Sequence, residues 1–482
     1  MYKDNINNSL TDNYAKYDRQ TILNELYKKY IEPTKANREH YIGVEFEMPI
    51  VNLDGKAVDF SLVHKMTRRF IDRFDFEVIG IDDAKNVYAC QSKENGDIFS
   101  YDCSYNNLEL SFGKESDLNI IYARFCTYYT FISNVLAENN YTITGMGVNP
   151  NWKINNNIPI ENGRYRMLFH HLHSYTKYKL PMYFHKYPQY GTFSSASQVQ
   201  LDAEFENLPK ILNTFSKLEP IKALLFSNSI LLGEDNDLIC CRDMFWENSP
   251  HGINPHNIGM YDCEFSGIDD IMNYIASTSI YCVERGDKYI NFEPINIMDY
   301  FNRETIDGEY FCSETEKYMP IVFTPEIEDL RYLRTFKFED LTYRGTIEFR
   351  SVCCQPISEC MTTAAFHLGL INNLDKLDKL LSQDTVLYHN GYTASELRKI
   401  FVKETLPGFI DEDKLWELAL SVTNLAQQAL LDRNLGEERF LKPLYERINR
   451  RTNPAKTMLS MLSEGIDINQ IIKYYASLTD KE

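Results

Sequence analysis

Four short segments of this chain alternate apolar and polar residues. Val44, Phe46 and Met48 alternate with Glu45 and Glu47, and Leu108, Leu110 and Phe112 with Glu109 and Ser111. Val199 and Leu201 alternate with Gln198, Gln200 and Asp202, and Ile347 and Phe349 with Glu348 and Arg350. A strand turns successive side chains to opposite faces, so each segment predicts a strand with one dry and one polar face. Asn52-Leu53-Asp54-Gly55 predicts a hairpin-type turn after the first. Val87 to Phe112 reads as a run of strands with turns, and 142–149 as a strand ending at Pro150. Elsewhere the period is helical. Ile22, Leu23, Leu26, Tyr27 and Tyr30 predict a helix before Pro33. Further helices are predicted over 58–73, 116–139, from Gly163 to about 177, 204–217, 219–228, 266–282 and 296–302. Residues 234–262 read as irregular, a loop length that usually lines a site. Residues 300–340 are mixed and polar. Beyond 355 the chain is helical almost throughout: 357–382, 393–403, 411–433, 436–448, 453–463 and 467–477. The division this predicts is a tail and helix over 1–39, a core over 40–355, and a helical region over 356–482.

The polar faces change the picture. An ordinary wet strand face carries Lys, Thr or Ser as readily as Glu, and a lone Glu-x-Glu is usually a solvated face. Here the set is carboxylates and amides with a single Arg. Glu45 and Glu47, two apart, have backbone positions roughly 6–7 Å apart on one face. Glu109 and Glu348 would join them if the strands share a sheet, and Asp102 lies just upstream of Glu109. Such a cluster repels itself unless it holds cations, which points to Mg²⁺ serving phosphates. Arg350 would face the same space, suited to a phosphoryl group or a carboxylate. Gln198 and Gln200 suit a metal edge or a bound amino acid. Arg242 and Trp246 fall in the irregular segment, where an Arg clamps a carboxylate or makes a surface ion pair. His170-His171-x-His173 has metal-ligand spacing but no carboxylate or Cys pattern beside it, so a polar helix face is the expectation. Neither a P-loop nor a dinucleotide Gly fingerprint is present.

Composition then limits the partners. The 482 residues carry 50 basic against 69 acidic side chains, a net charge of −19, which argues against nucleic acid or an anionic membrane as main partner. No apolar run approaches the roughly 20 residues of a membrane helix. Met1 to Gln20 lacks the apolar core of a signal peptide, so a cytoplasmic protein is expected. The eleven Cys include no C-x-x-C pair, and Cys240-Cys241 and Cys353-Cys354 are adjacent. They read as reduced thiols and buried small hydrophobes, with a regulatory disulfide as the alternative.

Taken in order, these segments resemble the glutamate–cysteine ligase family, the plant and actinobacterial type related to glutamine synthetase. Gly43-Val44-Glu45-Phe46-Glu47 resembles its opening strand and Glu109-Leu110-Ser111 its next acidic strand. Pro159-Ile160 with Gly163-Arg164-Tyr165 and Met167, and Gln198-Val199-Gln200-Leu201-Asp202, are similar to two later segments. So are Leu225-Phe226-Ser227-Asn228-Ser229, Arg242 with Trp246, and Glu348-x-Arg350 with Gln355-Pro356. Phe440-Leu441-x-Pro443-Leu444 and Asn453-Pro454-Ala455 resemble its C-terminal helices. The resemblance runs from about residue 42 to about 465. It departs at Asn106-Asn107-Leu108, where the family has Gly-Gly-Gln, and at Gln200, where it has Asn.

The resemblance implies an α+β fold, with a curved, mainly antiparallel sheet forming an active-site cavity, helices around it and a helical C-terminal region. It implies an ATP-dependent ligase forming γ-glutamylcysteine through a γ-glutamyl phosphate, in the setting of glutathione biosynthesis. Glu45, Glu47, Glu109, Glu348 and Asp102 would hold Mg²⁺ or Mn²⁺, and Glu348 and Arg350 would act in catalysis. Arg242, Trp246, Gln198, Gln200 and Arg164 would bind substrate. The partners would be ATP and amino acids, without nucleic acid or membrane, and the enzyme a monomer or homodimer. The same chemistry on another acid or amine is the alternative, and a non-catalytic nucleotide-binding scaffold a further one.

Overall fold

The computed structural model describes residues 16–36, 39–178, 180, 182–386 and 391–479. Most of the predicted polar tail therefore lies outside the described residues. Along the chain run strands β1 (Ile42–Asn52), β2 (Phe76–Ile81), β3 (Val87–Ser92), β4 (Ile98–Tyr101), β5 (Asn107–Glu115), β6 (Tyr141–Ile143) and β7 (Ser197–Asp202). Then come β8 (Ile258–Gly259), β9 (Ser279–Arg285), β10 (Lys288–Asn296), β11 (Ile306–Cys312) and β12 (Lys317–Phe323). The last are β13 (Phe336–Lys337), β14 (Glu339–Leu341) and β15 (Thr346–Phe349).

A nine-stranded sheet has the order β14-β15-β7-β1-β5-β4-β3-β2, with β6 paired to the far end of β1, and every pairing is antiparallel. The four alternating segments are thus consecutive neighbours, β15-β7-β1-β5. Their apolar residues enter the core: Val44, Phe46, Met48, Leu108, Leu110, Val199, Leu201, Ile347 and Phe349 are all buried. The Phe46 ring meets Phe125 of the helix beneath it at 4.9 Å.

Helices α1 (Arg19–Tyr30), α2 (Phe60–Phe74), α3 (Leu118–Ala137) and α4 (Gly163–His173) begin at Asp18, Asp59, Asp117 and Asn162. Each capping side chain accepts a free N–H of the first turn. Next come α5 (Leu208–Phe226), α6 (Cys241–Glu247), α7 (Ile268–Ala276) and α8 (Ile297–Phe301). The C-terminal set is α9 (Thr362–Asn372), α10 (Leu374–Gln383), α11 (Ala394–Phe401), α12 (Glu412–Arg433), α13 (Lys442–Arg450), α14 (Pro454–Ser463) and α15 (Ile468–Tyr475). It covers the sheet through α9, whose residues 362–370 are all buried. Gly369 lets α12 approach, since a Cβ there would lie 2.4 Å from the Ala426 carbonyl. No helix among the described residues is long and apolar enough to cross a membrane.

The structure departs from the predicted elements in several places. The helices expected over 204–217 and 219–228 are one, α5, running through Pro220. Every residue from Leu218 to Phe226 is buried, and packing outweighs the hydrogen bond Pro cannot make. The helix expected over 266–282 stops at Ala276, and the buried run that follows is β9. A short apolar run does not distinguish the two by period. The strand expected over 142–149 shrinks to β6. The mixed stretch 300–340 contains a hairpin, β11–β12, part of a second sheet ordered β12-β11-β10-β9. That sheet lies against α4, where Asn291 Nδ2 donates to the Met167 carbonyl at 3.0 Å.

Two resembling segments meet at the end of α5. Its orphan carbonyls at Leu224 and Leu225 accept from Asn453 Nδ2 at 3.0 Å and Arg447 Nη1 at 2.8 Å, and Ala455 N donates to Ser227 O at 3.0 Å. These contacts tie the C-terminal helices to the core.

Candidate functional site

The polar face of the nine-stranded sheet floors a cavity of about 410 Å³. Antiparallel register sets the carboxylates. Glu47 of β1 stands opposite Glu109 of β5, and Glu45 lies between Ser111 on one side and Gln198 on the other. Glu348 of β15 stands opposite Gln200 of β7 and, across its other edge, opposite Asp340 of β14. Asp102, at the end of β4, lines the same cavity. Like charges directly opposite are destabilising, so amides and backbone intervene. Gln198 Nε2 and the Ala196 N–H each donate to Glu47 at 2.7 Å, and Gln200 Nε2 donates to Glu45 at 2.8 Å. Ser111 Oγ donates to Glu109 at 2.6 Å. Gln200 also accepts from Arg344 Nη2 at 2.6 Å.

The electrostatics follow from burial and mutual repulsion. Glu47 and Glu348 are 7% and 8% exposed. Burial and then the nearby Glu348 and Glu109 raise the Glu45 carboxyl well above its usual range. Burial and Glu47 push Asp102 up to about 8 and Glu109 up to about 7. Arg350 donates to Glu348 at 2.5 Å; burial disfavours its charge, but Glu348 and Asp340 hold its pKa above the ordinary value. Among the described residues, no three acidic, His or Cys side chains converge into a ready-made cage for a metal ion. Mg²⁺ does not need one, because it takes one or two carboxylates and keeps waters and phosphate oxygens for the rest. Glu45, Asp102 and Glu109, whose proton affinities are raised by burial and then by neighbouring carboxylates, suit such an ion.

Basic and aromatic residues also line the cavity. Arg164 enters from the first turn of α4, and Arg242 and Trp246 from α6, a helix inside the stretch expected to be irregular. Arg242 is 6% exposed. Its Nη1 donates to the carbonyls of Ser351 and Val352 at 3.4 and 3.1 Å and its Nη2 to that of Arg350 at 3.4 Å, while Nε has no hydrogen-bond partner among the described residues. Trp246 stacks on Phe336 at 4.8 Å.

All eleven side chains singled out from the sequence line this one cavity. Sequence reading missed His251, Arg334, Phe336 and Arg344, which also line it. They sit singly in irregular or unaligned stretches, where no period marks them. The histidine cluster makes separate contacts. His170 meets Glu309 at 2.7 Å, His171 stacks on Tyr281 at 3.9 Å, and His173 Nδ1 meets the Phe169 carbonyl at 2.6 Å. His171 is buried, so that part of the helix face is not polar surface as expected. The departures at 106 and 107 are bracing residues: Asn106 Nδ2 donates to Asn156 O, and Asn107 bonds Ser194 O and Ser195 Oγ. The adjacent cysteines are buried, and all eleven cysteines are free thiols.

Several solved structures are similar to this one at a distance. One is glutamate–cysteine ligase from Francisella tularensis in complex with AMP: 11% identity, 92% of this chain and 88% of that one covered, TM-score 0.49. A second is a bifunctional glutathione synthetase from Pasteurella multocida, at 10% identity and TM-score 0.44. There 96% of this chain is covered, which spans 53% of that longer protein. A third is the ligase PafA in complex with the ubiquitin-like protein Pup, at 9% identity, 94% and 74% covered, TM-score 0.32. Each is a likeness too distant to carry more. No curated protein sequence matches the chain. The sequence profile of glutamate-cysteine ligase family 2 (GCS2) matches residues 41–476, nearly the whole length, and the chain therefore belongs to that ligase family.

Proposed function

We propose that this protein is an ATP-dependent carboxylate–amine ligase that joins L-glutamate, through its γ-carboxyl, to the amine of L-cysteine in the cytosol. The observation that carries the reading is the register of β15-β7-β1-β5, which gathers Glu45, Glu47, Glu109 and Glu348 with Arg350 in one cavity that Arg164 and Arg242 also line. The γ-carboxylate oxygen of glutamate attacks the γ-phosphorus of ATP, giving an acyl phosphate and ADP. The cysteine amine then attacks the acyl carbon, loses a proton, and phosphate leaves with the bond to carbon. Bound Mg²⁺ or Mn²⁺ would neutralise phosphate charge and align the transferring group.

The chain's own residues do the rest. Glu45, Glu47, Glu109, Glu348 and Asp102 offer the oxygens for the cation. Gln198 and Gln200 hold Glu47 and Glu45 in place. Arg350 stabilises negative charge on the phosphoryl oxygens, and its pairing with Glu348 fixes where it points. Arg164, together with the Nε of Arg242, supplies positive charge for a substrate carboxylate. Trp246 and Phe336 exclude water from that side. The test is phosphate release from ATP and Mg²⁺ with L-glutamate and L-cysteine, the product identified by mass. Release that requires both, with a γ-glutamylcysteine mass, is the expected result. Release that needs glutamate but not cysteine keeps the ligase and assigns another amine. Tight ATP binding without release with any amino-acid pair refutes the reading.

A further inference from the structure

The two doublets of adjacent cysteines meet beneath the site. Cys240 caps the start of α6 and Cys353 follows β15, and their sulfurs lie 3.6 Å apart with both side chains buried. The other members turn away. Cys241 Sγ contacts the Asn236 side chain and the Leu238 carbonyl, each at 3.8 Å, and Cys354 Sγ contacts the Gln355 carbonyl at 3.7 Å. Each doublet therefore offers one thiol to the other. The surroundings make the two thiols unequal. Burial opposes a Cys353 thiolate, but the Cys240 thiol, the Arg242 charge and Ser229, whose Oγ is 3.3 Å away, outweigh it and lower the Cys353 pKa. The Cys353 contact, and then burial, raises the Cys240 thiol. One sulfur is thus a nucleophile and the other holds its proton.

A bond here would be felt in the cavity. Arg242 stands two residues after Cys240 and Arg350 three before Cys353, and both line the cavity. Arg242 also holds the carbonyls of Arg350, Ser351 and Val352. A disulfide is about 2.0 Å long, so the sulfurs must close by roughly 1.5 Å. Cys353 has little room to move alone: its Cβ packs on Gly147, where a Cβ would lie 2.9 Å from it. Closure therefore draws the start of α6 and the segment after Arg350 together. We propose that Cys240 and Cys353 are an oxidation site, closed to a disulfide by hydrogen peroxide, and that closure slows the ligase reversibly. The bond stands on the sulfur contact; its effect on turnover rests on the ligase reading above. The Cys353 thiolate attacks one peroxide oxygen, the O–O bond breaks, and the departing hydroxide takes up a proton as water. The Cys240 sulfur then attacks the sulfenic sulfur of Cys353, and its proton leaves with the hydroxyl as a second water. Both sulfurs are oxidised and the peroxide is reduced to two waters.

The test treats the reduced full-length chain with hydrogen peroxide, alkylates the remaining thiols, and reads the digest by mass. A peptide joining Cys240 to Cys353 is expected, with ATP- and glutamate-dependent phosphate release lowered by about tenfold and restored by dithiothreitol. The bond links residues 113 apart in sequence and restrains the unfolded chain, so the oxidised protein should melt higher. Cys240→Ala and Cys353→Ala should each keep the reduced parent's turnover and lose its sensitivity to peroxide, whereas Cys241→Ala and Cys354→Ala should stay sensitive. No joined peptide, a joined peptide without loss of turnover, a lower melting temperature on oxidation, or inhibition that persists in Cys240→Ala overturns the proposal. A reduced parent that releases no phosphate with any amino-acid pair removes the ligase reading, and the joined peptide still decides the bond.

Discussion

Replacing Arg398 by Met should unfold the protein more readily than any surface change and blunt the site from beneath. Arg398 of α11 is buried, and its Nε and Nη2 donate to Asp243 at 2.7 and 3.0 Å. Its Nη1 donates to the Glu219 carboxylate at 2.5 Å and to the Glu219 carbonyl at 2.9 Å. Lys222 and Ser351 Oγ complete the Glu219 partners. With Arg398 gone, Asp243 loses its counter-ion, and Glu219 keeps Lys222 as its cation and Ser351 Oγ as a donor. Breaking a buried pair from one side costs about 3–5 kcal/mol, because an uncompensated charge stays buried. Removing the second charge as well, with Asp243→Asn, should recover much of that loss, giving a coupling of about 2 kcal/mol or more in a double-mutant cycle. The assay is urea unfolding followed by tryptophan fluorescence. Asp243 adjoins Arg242, which holds the carbonyls of Arg350, Ser351 and Val352, so turnover of the folded variant should fall as well. A loss below about 1 kcal/mol, or strict additivity with Asp243→Asn, would refute the reasoning.

Glu348→Gln should lower ATP- and glutamate-dependent phosphate release by at least about a hundredfold, since on the proposed reading it removes a cation ligand and it frees Arg350; full activity would exclude Glu348 from the chemistry. Gly369→Ala pushes a methyl against the Ala426 carbonyl and should destabilise by about 1–3 kcal/mol or more, seen as a lower urea midpoint. A third prediction concerns acid. His367 is wholly buried, and burial with the nearby Lys222 pushes it down to about 3 from an ordinary 6.5. Between those values the unfolded chain binds a proton that the folded one does not, so stability present above pH 6.5 is lost as pH falls towards 3. His367→Phe, stacking on Phe215 and Phe349, should flatten the acid limb of the stability curve between pH 6.5 and 4, and an unchanged limb would count against it.

The four strands that carry the site were legible because their two faces do opposite things: Phe46 and Phe349 fill the core while Glu45 and Glu348 stay polar. Their adjacency was not, since β7 follows β1 after 144 intervening residues and alternation carries no information about partners. Elements failed where packing outvoted local signal. Pro220 reads as a break, yet α5 runs through it inside a fully buried turn. The run from Ile268 to Arg285 is apolar throughout by turns, and only contact with α4 and the second sheet decides where helix gives way to strand. In the site, the carboxylates were readable because several similar residues share one pattern. Arg334 and His251 stand singly in the chain, and only the buried Nε of the one and ring nitrogens of the other, unbonded among the described residues, mark them, which no sequence states.

The row of carboxylates has a consequence for stability that tests its purpose. Glu47 and Glu109 are paired directly across two strands, a placement that ordinarily weakens a sheet. The amides of Gln198 and Gln200 relieve the β7 side but not the Glu109 side, where Ser111 is the donor to the carboxylate among the described residues. On the proposed reading, the sheet is less stable than its packing allows until a cation lies between the strands. Mg²⁺ or Mn²⁺ should raise the melting temperature in a concentration-dependent way, by the free energy RT ln(1 + [cation]/Kd), about 2.7 kcal/mol at a hundred times Kd. Glu109→Gln should move the two measurements in opposite directions: a higher melting temperature without cation, because repulsion is gone, and a smaller rise with it, because a ligand is gone. A variant that melts lower without cation would mean the Glu109 carboxylate is held by the fold for its own hydrogen bond, and the cation reading of this wall would fail.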